Sequence, residues 1–109
     1  MAQNNTQKVI RNILRLCYEK DYSIEFIGVN YNRHISKTKD YQFVRKVYKN
    51  YSTGYINIFK PSELKGYYDA PYASFEYSIA QDKIISTYSS SDNGLAFLKE
   101  AQFLSDIGM

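Results

Sequence analysis

Residues 72–107 read YASFEYSIAQDKIISTYSSSDNGLAFLKEAQFLSDI, and this stretch decides the fold. From Ala73 to Ala80 the chain alternates: Phe75, Tyr77 and Ile79 share one parity, Ser74, Glu76 and Ser78 the other. Period-two alternation marks a strand with one buried and one wet face. Gln81-Asp82 supplies a polar turn, and Lys83 to Tyr88 returns as a second β-rich run. The Ser89–Gly94 link is rich in Ser, Asp and Asn, whose side-chain oxygens accept from the free N–H groups that open a helix, so an N-cap is expected there. Phe97, Leu98, Ala101 and Leu104 then fall at helical spacing, and Gly108 suits a helix end. Neither hairpin nor helix can bury its apolar face alone, so the helix is expected to lie on the hairpin.

Upstream, Thr6 to Lys20 predicts a first helix. Val9, Ile10, Ile13, Leu14, Leu16 and Cys17 form its apolar stripe, with Lys8, Arg11, Asn12, Arg15 and Glu19 opposite. Asn5 or Thr6 can cap it, and Lys20 suits the negative end of its dipole. Tyr22 to Val29 predicts a strand. Its apolar residues change phase from Ile24 and Phe26 to Ile27 and Val29, which places it mid-sheet, with a bulge expected at Gly28. Asn30 to Asp40 is the most polar segment and reads as an exposed loop. Tyr41 to Asn50 fits either a strand or a helix capped by Asp40; β-branched and aromatic content favours the strand, paired as a hairpin with Tyr55 to Lys60. Pro61 ends that run, and 61–72 is irregular. The fold class is therefore α+β: one small domain over 1–109, with an antiparallel sheet of about four to five strands flanked by an N-terminal and a C-terminal helix.

The totals exclude several classes. A chain of 109 residues with 44% hydrophobic and 23% charged residues is globular and long enough for one core. No apolar run is long enough to span a bilayer, and the first residues carry no signal-peptide hydrophobic region, so a cytoplasmic location and no membrane partner are expected. Cys17 is the one cysteine, which precludes an internal disulfide. Abundant Asn, Ile, Lys, Tyr and Phe, with AT-rich codons, point to a low-GC bacterium or one of its phages. Charge is uneven: residues 1–60 hold eleven Lys or Arg against four acids, net +7, and residues 61–109 hold three against seven, net −4. Such asymmetry points to an anionic partner for one end, or to nothing beyond a solvated surface.

Chemistry-bearing motifs are sparse. With one His, one Cys and no spaced acidic cluster, neither a metal site nor a cofactor is expected. Cys17 sits on an apolar stripe and reads as a core residue, and His34 reads as a solvated or phosphate-facing side chain; as a catalytic pair they would lack the surroundings an active thiolate needs. The five glycines are scattered singly, so no phosphate loop is formed. What remains is a basic-aromatic run: Arg33, Lys37, Lys39, Arg45, Lys46 and Lys49 can neutralise phosphates, and Tyr41 and Tyr48 can stack on bases. The competing reading is core tyrosines and edge-strand lysines. Tyr67, Tyr68 and Tyr72, around Pro71, have the amphipathic character of protein-interface residues.

The leading expectation is a non-enzymatic binding or regulatory protein that docks on a protein, or a protein–nucleic-acid complex, concerned with nucleic acid. Small motif-free chains of this type are often phage or mobile-element inhibitors, including anti-CRISPR-like ones, an analogy of class. The alternatives are direct binding of single-stranded DNA or RNA through 31–49, and a small enzyme with an unrecognised site. A homodimer pairing basic with acidic surface is a further expectation.

Overall fold

The structure is a computed structural model, and it describes residues 5–28, 33–37, 53–60, 71–87 and 91–109. Helix α1 spans Asn5–Lys20; strands β1 Ser23–Gly28, β2 Arg33–Lys37, β3 Thr53–Phe59, β4 Ala73–Ser78 and β5 Lys83–Ser86 follow; helix α2 spans Ser91–Asp106. The strands make one antiparallel five-stranded sheet in the order β2-β1-β3-β4-β5.

Both helices contribute to a single core on one face of that sheet. Ile24 and Phe26 of β1, Ile56 and Ile58 of β3, and Ala73, Phe75 and Tyr77 of β4 share that face and are buried. They meet Val9, Ile10, Ile13, Leu14, Leu16 and Cys17 of α1, with Phe97 and Ala101 of α2. This is the stripe-on-sheet arrangement that period-two and helical spacings imply. At the rim, the rings of Tyr22, Tyr72 and Phe97 form a triad with centroids 5.6–6.2 Å apart. Asn93 Nδ2 donates to the Tyr72 carbonyl at 2.9 Å and fastens the start of α2 to the start of β4.

The helix ends are built alike. Tyr22 N–H donates to Cys17 O and Asp21 N–H to Tyr18 O, with Asp21 at φ 58°. In α2, Met109 N–H donates to Leu104 O and Gly108 N–H to Ser105 O, with Gly108 at φ 87°. Each is a Schellman ending, one with the favoured glycine in the left-handed position and one with aspartate.

The structure corrects several sequence expectations. Part of the polar Asn30–Asp40 segment is no loop: Arg33–Lys37 is the edge strand β2, laddered to β1 from Ile27↔Arg33 to Ser23↔Lys37. Polarity suits an edge strand, and the ladder to β1 pairs one side of its backbone. Gly28 makes no bulge against β3, because the register runs unbroken to Gly28↔Gly54. Both edges of β3 are taken, by β1 and β4, so a hairpin of Tyr41–Asn50 with Tyr55–Lys60 is not the pairing β3 makes; residues 41–50 lie outside the described residues. The β4–β5 turn is Ile79 to Asp82, closed by Asp82 N–H to Ile79 O at 3.1 Å, rather than two residues. Helix α1 is capped from a distance, by Asp82 Oδ1 accepting from Thr6 N–H at 2.7 Å. Asn12, expected on the wet face of α1, is fully buried and donates through Nδ2 to Ser105 Oγ at 3.0 Å, because α2 packs across that face.

Candidate binding face

The sheet face turned away from the helices carries two unlike cross-strand rows. The inner row is Glu25 of β1, Asn57 of β3 and Ser74 of β4, each directly opposite the next. Asn57 Nδ2 donates to Glu25 Oε1 at 2.8 Å, and Ser74 Oγ donates to Asn57 Oδ1 at 2.7 Å. Glu25 and Ser74 are buried, so the face expected to be wet is dry here, and the members of the polar row bond one another.

The outer row crosses all five strands. The register sets Arg33 against Ile27, Ile27 against Tyr55, Tyr55 against Glu76, and Glu76 against Ile85. Tyr55 and Ile85 are 45% and 42% exposed, unusual for side chains of their size. One step further along, Thr53, Ser78 and Lys83 form a short polar row. A cleft of about 380 Å³ lies over these two rows, lined among others by Ile27, Tyr55, Glu76, Ser78, Lys83 and Ile85. That is within the range of ligand-sized clefts, roughly 300–1,000 Å³. Gly54 also lines the cleft, and a Cβ there would run into the Ile27 carbonyl oxygen and stand 3.4 Å from the Tyr77 hydroxyl. The exposed carboxylate of Glu76 and ammonium of Lys83 give the cleft both signs of charge, beside an aromatic ring and an aliphatic side chain.

A second groove, of about 410 Å³, separates the start of α1 and the β4–β5 turn from α2; Thr6, Asp82, Leu95, Leu98 and Gln102 are among its walls. The N–H of Thr6 beside Asp82 holds that carboxyl below its ordinary range, helped by a contribution from Asn5.

Of the residues the sequence singled out, Arg33 and Lys37 stand at the two ends of β2, opposite Ile27 and Ser23. Lys39, Tyr41, Arg45, Lys46, Tyr48, Lys49, Tyr67 and Tyr68 lie outside the described residues. Tyr72 is half-buried in the ring triad, with Lys60 Nζ 4.2 Å from its ring centroid. His34 pairs with Phe26 in the ladder. The Cys17 thiol is fully buried, and burial pushes its pKa up, against a smaller opposite effect from Lys20, so it is a poor thiolate source at neutral pH. Among the described residues, no three His, Cys, Asp or Glu side chains are grouped to hold a metal ion, and no helix is long and apolar enough to cross a membrane.

Sequence reasoning did not find the Tyr55–Glu76–Ile85 row. The signal available was the second-parity apolar residue Ile27; the register that continues it through Tyr55 to Ile85 is a property of the folded sheet. No family model, curated protein or solved structure matches this chain.

Proposed function

We propose that this protein is a non-enzymatic binding protein that docks on another macromolecule through the sheet face turned away from its helices. The observation that carries this reading is the outer row: arginine, isoleucine, tyrosine, glutamate and isoleucine in register across five strands, with Tyr55 and Ile85 exposed over a cleft. Tyrosine and arginine are enriched where proteins bind one another, and exposed apolar side chains rimmed by charge mark such surfaces. Burial of Cys17 removes the one nucleophile that an enzymatic reading had to offer. The basic bias of residues 1–60 favours a partner that handles nucleic acid, and a phage or mobile-element inhibitor of such a partner, of the anti-CRISPR-like kind, is the biological setting that fits.

The second reading is direct binding of single-stranded DNA or RNA, favoured by Arg33 and Tyr55 standing in one row. One experiment separates the two. A photoreactive phenylalanine analogue replaces Tyr55 or Ile85, with Glu19 on α1 as the control position. In parallel, nuclease-treated protein is titrated with labelled single-stranded DNA and RNA at low and near-physiological salt. Protein docking predicts crosslinks to one protein from Tyr55 and Ile85 but not from Glu19, with negligible nucleic-acid affinity. Tight binding that collapses with salt and weakens in Arg33→Glu, without protein crosslinks, overturns it in favour of direct recognition.

A further inference from the structure

The outer face of α2 is apolar along its centre. Gly94, Phe97 and Ala101 are the buried side of this helix. At about 100° per residue, Phe103 lies opposite them, and it is 60% exposed. Ala96 and Ile107 continue the line, and Ile107 is 54% exposed. Leu95 and Met109, also exposed, stand toward its two ends. Phe103 and Ile107, one turn apart, thus form a short apolar strip left exposed, with Lys99 and Asp106 on one flank and Glu100 on the other.

The charges beside the strip are arranged for a copy of the same helix. Lys99 and Asp106 lie on one flank, Lys99 four residues before Phe103 and Asp106 three after it. When two identical helices pair antiparallel about a two-fold axis, residues equally far before and after the axis come level, and each flank meets the same flank of its mate. With the axis at Phe103, Lys99 of one protomer comes within about one residue rise, roughly 1.5 Å, of the level of Asp106 in the other. The two-fold makes this pair twice, with the Phe103 rings together at the centre. Gln102 Nε2 donates to Asp106 Oδ1 at 2.9 Å, which steadies the carboxylate and leaves Oδ2 for the incoming lysine.

We infer that the outer face of α2 is a homodimer interface, in which α2 packs antiparallel on α2 of a second copy through Phe103 and a reciprocal Lys99–Asp106 pair. One helix pair makes an interface at the small end of the size range of specific complexes. This surface is separate from the sheet face proposed for the partner, and either can fail without the other.

Sedimentation equilibrium of the full chain from 1 to 200 µM tests it. The expected result is a reversible dimer that Phe103→Asp shifts to monomer, with native circular dichroism retained because the residue is exposed. Lys99→Asp and Asp106→Lys each weaken association at least tenfold, and the double variant restores it. A wild-type monomer throughout overturns the inference. So does a dimer indifferent to Phe103→Asp, or a charge-swapped double variant no stronger than the singles.

Discussion

Gly94 is buried where α2 comes down on the sheet. A Cβ there would run into Ser86 Oγ, stand 2.8 Å from Ser86 Cβ and 3.4 Å from Phe75 Cε1. The hydroxyl can rotate away but Ser86 Cβ cannot, so the contact opposes a helix-propensity gain of about 1 kcal/mol for alanine with an overpacking cost of about 1–3 kcal/mol. Gly94→Ala is expected to destabilise by up to about 2 kcal/mol in urea unfolding. Adding Ser86→Gly should recover much of that loss, whereas no recovery would place the strain elsewhere. Asp21 presents the opposite case. It holds the left-handed position after α1 that Gly108 holds after α2. Asp21→Gly relieves that conformation but gives the unfolded chain more entropy to lose, for a net gain of up to about 1 kcal/mol; a lower urea midpoint would show that the aspartate contributes more than its backbone. Neither residue was legible in advance: Gly94 looks like a link residue and Asp21 like a plain break, because what distinguishes them is a neighbour and a dihedral angle.

Helices and strands with strong periodicity were legible as elements. The stripe of α1, the parity of β4 and the spacing of α2 all follow from which side chains need burial. The miss was β2, whose Arg33-His34-Ile35-Ser36-Lys37 has no apolar period; its strand conformation comes from the ladder that β1 offers. The start of α1 was misread for a related reason. Its cap is supplied by Asp82, some seventy-six residues away in sequence, on the β4–β5 turn. That bond makes the turn and the helix one unit and gives it a pH dependence. The carboxyl is held below its ordinary range by the Thr6 N–H, so its contribution is complete above the unfolded pKa and is lost as pH falls through the lowered native value. Asp82 stands at φ 50°, a left-handed conformation that asparagine tolerates while still accepting a hydrogen bond, so Asp82→Asn isolates the charge. The expected outcome is a lower Tm for Asp82→Asn at pH 7 and a gap that narrows toward pH 3; a gap constant with pH would mean that the charge plays no part.

At the scale of the molecule, the sheet joins a β1–β2 hairpin to a β3–β4–β5 meander, and the Glu25–Asn57–Ser74 row crosses that seam. A slip of one residue between β1 and β3 would turn β1 over relative to β3 and part Glu25 from Asn57, so this bond specifies register as well as contributing stability. This was beyond sequence reading, as was the cleft beside it: alternation gives each strand a polar parity, and only the pairing shows which polar residues meet. The direction of the bonds yields a test. Asn57 donates to Glu25 and accepts from Ser74, so Asn57→Asp keeps the acceptor and replaces the donor with a second carboxylate against a buried one. The loss expected is about 3–5 kcal/mol at pH 7, the usual cost of leaving a buried charge uncompensated. Glu25→Gln alone keeps the bond to Asn57, since its carbonyl oxygen still accepts. Combined with Asn57→Asp, it reverses the bond: the glutamine amide donates to the new carboxylate, which also accepts from Ser74. The double variant should therefore lie within about 1–2 kcal/mol of wild type by urea unfolding. If it is instead as unstable as Asn57→Asp alone, the row fills space at the seam without setting how the two halves of the sheet are joined.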